Sequence, residues 1–230
     1  MCANYIPPTP KDLEKLFKAL AKLVRFEYAP EAFPVYKAPM VRPDESGQAI
    51  LTPGCFGLIP HWAKDTTVAR NTYNARSETV AEKPSFSPSW KAGRFCLIPI
   101  QAFYEPRYSE DGKTCVRWRI DRKDGEPFAA AGIWGSWNHP ANGERIDSFS
   151  MLTINADAHP FMQDYHKPGD EKRSIVLLQP NSYADWLSIK EPEQAREFLK
   201  PFNPEEYQAK PEPKPKQVKA VVKGGQQRLI

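Results

Sequence analysis

Cysteine is scarce in this chain and scattered. Its four residues (Cys2, Cys55, Cys96 and Cys115) stand far apart, with no CxxC pair and no His/Cys ligand spacing. That excludes a zinc site and a disulfide framework, so neither a metal nor a cofactor is expected. Glycine is sparse as well, 12 against 24 prolines, a balance that predicts many extended loops rather than a helical bundle. No apolar run is long enough to span a membrane, and there is no signal peptide or lipidation motif. The chain is therefore expected in a reducing cytoplasm, nucleoid-associated if bacterial, with no membrane partner. Charge of one sign is also limited. A net charge of +4 and a pI near 8.8 permit nucleic acid as a partner without demanding it.

What is present supports one domain. The 230 residues are 40% hydrophobic and 12% aromatic, enough for a sizeable core. Thr9 as N-cap, Pro10 in the first turn and Asp12 near the positive end start a helix. Leu13, Leu16, Phe17, Leu20 and Leu23 give it one apolar face. Prolines 30, 34, 39 and 43 then bar helix. Strand-like runs at Ala49–Thr52 and Cys55–Ile59 flank Pro53-Gly54, which reads as a turn. Further strands are expected at Arg94–Pro99, Thr114–Ile120 (after an Asp111-Gly112 hairpin turn), Pro127–Trp134, Phe149–Asn155 and Ser174–Leu178. Short helices are expected at 86–93, 181–187 and 192–199. The folded domain is placed at residues 1–205. Residues 206–230 read as a mostly disordered Pro/Lys-rich basic tail.

Cys2 offers unusual chemistry. A small residue at position two allows the initiator Met to be trimmed, which would leave Cys2 first, with an α-amine and a thiol on adjacent carbons. Their ordinary pKa values, about 7.7–8.0 and about 8.5, leave part of each nucleophilic at neutral pH. The amine can condense with an aldehyde to an imine, and the thiol can close a five-membered thiazolidine ring.

Other positions carry two readings each. Trp62 sits in a loop among polar and basic residues, able to stack on a base or to cap the core. In Asn74-Ala75-Arg76-Ser77-Glu78-Thr79, Asn74 fits a helix N-cap, while Arg76 suits a phosphate or a carboxylate. Glu105 lies in an apolar, aromatic stretch. Buried, it would be an acid/base near neutrality; at a strand edge, it would simply face water. Arg117 and Arg119 share one strand face, either toward phosphates or toward solvent. His159 and His166 lie in a loop before a strand, where an imidazole can shuttle protons or merely hold the loop.

Met-Cys at the start, the Asn-Ala-Arg-x-Glu-Thr string, Phe103-Tyr104-Glu105 and the late His166 occur in an order that resembles the SRAP family, the SOS-response-associated peptidases or abasic-site processing proteins. The resemblance covers about the first four-fifths of the chain. It implies an α+β fold: a single compact β-rich domain with flanking short helices and a basic groove for single-stranded DNA. It also implies covalent capture of abasic sites by a monomer. Cys2 would form the thiazolidine and Asn74 would position its amine. Glu105 would act as general acid/base, and His166 would protonate the sugar oxygen. Arg76 would hold a phosphate, Trp62 would wedge or stack, and Lys37, Arg117 and Arg119 would add DNA contacts. Strand-cleaving β-elimination and self-cleavage after Met1 are implied as secondary activities.

The chain departs from the family pattern in three places. Ala3-Asn4 stands where Gly-Arg is usual. Tyr36-Lys37-Ala38-Pro39 lacks the usual Asn. The segment after His166 is longer than expected, which keeps His159 as the alternative catalytic His. Two other functions fit the residues: a thiol peptidase or amidohydrolase using Cys2, and a noncatalytic single-strand binder.

Overall fold

The computed structural model describes residues 2–214. Met1, whose removal would free the Cys2 amine, and residues 215–230 of the tail lie outside the described residues. The elements in chain order are β1 (Tyr5–Ile6), α1 (Pro10–Phe17), β2 (Lys22–Leu23), β3 (Lys37–Pro43), β4 (Ala49–Phe56), β5 (Asn74–Arg76), α2 (Ser87–Lys91), β6 (Phe95–Ile100), β7 (Ala102–Tyr108) and β8 (Cys115–Arg122). They continue with β9 (Phe128–Asn138), β10 (Arg145–Asn155), β11 (Arg173–Ile175), β12 (Leu177–Leu178), α3 (Tyr183–Ser188), α4 (Pro192–Ala195) and β13 (Tyr207–Pro211). This is the β-rich α+β architecture expected.

Five strands close on themselves. β10 pairs with β4, β4 with β3, β3 with β6, β6 with β9, and β9 again with β10. Only the β10–β4 pairing is parallel. Closure leaves these strands without an open edge. A second sheet, ordered β1–β7–β8–β13, is fed from the barrel where β6 passes through Gln101 into β7. Every residue of β6 is buried. Part of its cover is Trp186 of α3, whose indole N–H donates to the Cys96 carbonyl at 2.9 Å.

One aromatic-rich core cluster joins residues of the barrel strands to residues of the second sheet and includes Cys2. Phe56 stacks on Phe149 with ring centroids 5.5 Å apart, and Tyr5 meets Phe56 edge-on at 5.2 Å. Burying each such ring contributes about 1.5–3 kcal/mol. The N-terminal segment is thus held as core.

Several local expectations need correction. Pro53-Gly54 is no turn, because β4 runs straight through it. A Cβ on Gly54 would lie 2.9 Å from Phe149 Cδ1, so this glycine serves close packing across the barrel. Asn74 caps no helix. Asn74–Arg76 is a strand that pairs in parallel with Met151–Thr153 of β10, which takes up the backbone groups a helix would have used. Helix α1 stops at Phe17, and Leu23 instead pairs with Leu51 in β2–β4. Order also continues past residue 205: β13 pairs with β8, and Tyr207 packs against Phe202 and Phe128.

Candidate active site around Cys2

Cys2 is fully buried. Its thiol donates to the Asn4 carbonyl at 3.5 Å. Its own carbonyl accepts from the Asn74 side-chain amide at 3.0 Å. The pleat of β5 explains that contact: Ala75 points into the core, while Asn74 and Arg76 point the other way. Among the described residues the buried Asn74 Oδ1 has no hydrogen-bond partner, which leaves an acceptor beside Cys2. Burial, and after it the charge of Glu105, push the Cys2 thiol up to about 12.

Glu105 is 1% exposed on β7, so it does not face water. His166 Nε2 lies 2.9 Å from its Oε2. The imidazole is delivered by an unusual backbone: His166 has φ of 66°, a left-handed conformation uncommon outside glycine. Its N–H donates to the Pro106 carbonyl at 2.7 Å, which ties the loop to β7 next to Glu105. The Arg173 N–H approaches His166 Nδ1 at 3.5 Å. The neutral tautomer that suits both contacts carries its proton on Nε2 and donates to Glu105.

His159 sits apart from this group. Its Nδ1 accepts from the Phe161 N–H at 3.1 Å, and its Nε2 meets the Phe202 carbonyl at 3.2 Å. Burial lowers its pKa from the ordinary 6.5, and its two ring contacts pin the loop.

Arg76 is half exposed and takes a carboxylate, bonding Glu171 at 2.8 Å. It lines a cleft of about 580 Å³ with Tyr73, His166, Glu171 and Arg173. Lys37 lines a different hollow, with Cys55, Thr66 and Arg145. Trp62 is 51% exposed in a turn. Neither lines the cleft that holds His166. Arg117 and Arg119 are largely covered and ion-paired, to Glu31 at 2.5 Å and to Asp121 at 2.8 Å. The structure therefore brings together Cys2, Asn74, Glu105 and His166, with Arg76 beside them, and leaves Lys37 and Trp62 elsewhere on the surface.

Asn4 entered the sequence reading only as a departure from the family pattern, and Tyr73 and Glu171 were not singled out. Asn4 had one signal, its place two residues from Cys2. Tyr73 and Glu171 had none, since each becomes part of the site only through folding. Among the described residues no group of three or more His, Cys, Asp or Glu could hold a metal, and no helix is long and apolar enough to cross a membrane.

The fold and site define a class: a β-barrel protein that buries a cysteine at position two near a carboxylate–imidazole pair. The chain belongs to the SOS response associated peptidase (SRAP) family, whose model matches residues 1–219. It is 34% identical over 156 residues to the abasic site processing protein YoqW of Bacillus subtilis, a match covering 67% of this chain and 65% of that protein. The abasic site processing protein HMCES of Rattus norvegicus is 26% identical over 187 residues. The chain spans about two thirds of the length of the Bacillus relative and 51% of the rat one. Among solved structures, a Bordetella bronchiseptica protein superimposes with a TM-score of 0.80 at 32% identity, covering 91% of this chain and 99% of that one. A Bacteroides thetaiotaomicron protein at 23% identity and TM-score 0.74 shares the fold.

Proposed function

We propose that this protein captures abasic sites in single-stranded DNA by forming a thiazolidine on Cys2, with Met1 removed. The observation that carries the reading is the grouping around Cys2: Asn74 on its carbonyl, the charge of Glu105 felt at its thiol, and His166 on Glu105. An abasic sugar in its open form presents an aldehyde, which an aminothiol suits.

The raised thiol sets the order of steps. Little thiolate exists at neutral pH, so the α-amine attacks first. It adds to the aldehyde carbon, and loss of water leaves an imine. Asn74 Oδ1, which has no partner among the described residues, would accept from the amine and orient it. The thiol sulfur then adds to the same carbon. Its proton passes to Glu105 and on to the former imine nitrogen, closing the ring with no external reactant. His166 gives its Nε2 proton to the sugar ring oxygen while Glu105 takes the proton of the anomeric hydroxyl, so the ring opens to the aldehyde, and Glu105 then returns that proton to His166. Arg76 binds a backbone phosphate in place of Glu171, while Lys37 and Trp62 touch flanking DNA. Single-stranded substrate brings no unpairing cost.

Strand cleavage by β-elimination from the imine, self-cleavage after Met1, action as a cytoplasmic monomer and a role in the DNA-damage response belong to the same proposal. The thiol weighs against a peptidase acting on other proteins, since such nucleophiles are activated by a lowered pKa.

The test is a denaturing gel of the protein with an oligonucleotide carrying one abasic site, Cys2→Ala alongside, and intact-mass analysis of the N-terminus. A heat-stable shifted band in wild type alone supports capture. Its absence from protein with a free Cys2 terminus overturns the reading.

A further inference from the structure

Arg117 is engaged on every side. Its guanidinium bonds Asn4 Oδ1 at 2.9 Å and Glu31 at 2.5 Å, and its Nε donates to the Glu212 carbonyl at 3.1 Å. It lies over the Tyr104 ring at 3.7 Å. Only 18% of its side chain is exposed. A DNA phosphate would have to displace a carboxylate and a buried amide to reach it.

Asn4 connects this cluster to the reacting cysteine. Its side-chain amide donates to Glu31 at 2.7 Å, so both ends of the amide are held. Its backbone carbonyl accepts from the Cys2 thiol and, at 3.1 Å, from the Tyr104 N–H. Cys2 occupies a short segment in front of the two-residue strand β1, with few backbone bonds of its own. A terminal segment so short is ordinarily frayed.

We propose that Arg117 is a positioning residue for Cys2, acting through Asn4. The inference rests on the capture reading above and assigns Arg117 a part in it other than phosphate binding. Nη1 of the guanidinium holds the Asn4 side-chain oxygen and Glu31 together while Nε is anchored on the Glu212 carbonyl, and the Asn4 carbonyl sets where the thiol waits relative to Glu105. A small displacement of a reacting atom costs up to about a hundredfold in rate.

The experiment uses the full chain with Arg117→Met, Arg117→Lys, Asn4→Ala and the Arg117→Met/Asn4→Ala pair. Two quantities are read: the capture rate at saturating abasic oligonucleotide, and the affinity for an unmodified oligonucleotide at two salt concentrations. A thermal melt of each variant identifies any that is unfolded, and only folded variants are compared. The expected result is a fall of about tenfold or more in capture rate for Arg117→Met and for Asn4→Ala. The pair should fall no further than the worse single variant, with affinity and salt slope unchanged. Arg117→Lys keeps the charge but cannot bond Asn4 and Glu31 while also bonding the Glu212 carbonyl, so it should not restore the rate.

A phosphate contact would show the opposite pattern. Affinity would weaken, the salt slope would drop by about 0.7, the saturated rate would hold and Lys would rescue; that overturns the proposal alone. Wild-type capture rate in folded Arg117→Met overturns it too. Wild type that forms no adduct at all overturns the capture reading, and this inference with it.

Discussion

His166 Nε2 stands 2.9 Å from Glu105 Oε2, with 9% and 1% of the two side chains exposed. A carboxylate and an imidazole held this close can pass a proton between them, and the proposed capture uses them together. Glu105→Gln keeps the shape and a hydrogen bond to His166 but cannot take a proton from the thiol. Capture should slow by about 10²–10⁴-fold with little change in the thermal midpoint. Single-turnover kinetics on an abasic oligonucleotide, beside a melt, checks both.

Cys2 should be a slow thiol. With its pKa pushed up to about 12 by burial and then by Glu105, the protonated form dominates at ordinary pH, and thiolate grows about tenfold per pH unit. Iodoacetamide labelling followed by peptide mass should mark the exposed Cys115 well before Cys2. The Cys2 rate should still climb at pH 10, and Glu105→Gln should raise it. A plateau by pH 9 would contradict the assignment.

Arg173 grips Glu78 through two bonds of 2.8 Å each. Burial alone would raise the Glu78 carboxyl, but the hydrogen bonds and charge of Arg173 outweigh it and hold the group down to about 2. The folded pKa is below the ordinary 4.5. The stabilisation is therefore complete above that value and is lost as pH falls through about 2. Glu78→Gln should flatten the acid side of the stability curve in that window, as read by urea melts at a series of pH values.

Gly57 ends β4 with φ of 114°, and a Cβ there would lie 2.1 Å from the Ala69 carbonyl oxygen. Gly57→Ala brings both a strained backbone and a clash with main chain that cannot rotate away. A loss of roughly 2–4 kcal/mol is expected, measurable as a lower urea midpoint.

Much of the local structure was legible. The Thr9 cap and Pro10 start α1 as the residue types require. Gly93 closes α2 with φ of 61°, and Asp111-Gly112 turns the β7–β8 hairpin. The misread stretches share a cause. Pro53-Gly54 and Asn74 carry strong turn and cap propensities, but pairing across the barrel overrides them, because neighbouring strands offer their backbone groups more partners than a local turn would.

The amino-acid order alone determined the cysteine at position two and the inventory of a carboxylate, two imidazoles and several guanidiniums, because these follow from residue type and short-range spacing. Tertiary structure decided which of them meet. Asn74 reaches Cys2 across 72 positions and His166 reaches Glu105 across 61, distances over which periodicity carries no information. Folding also chose the partners of the charges: Arg76 took Glu171, and Arg117 took Glu31 and Asn4. An ion pair depends on which opposite charge is brought within a few ångströms, and here the closed barrel and the sheet beside it set that distance.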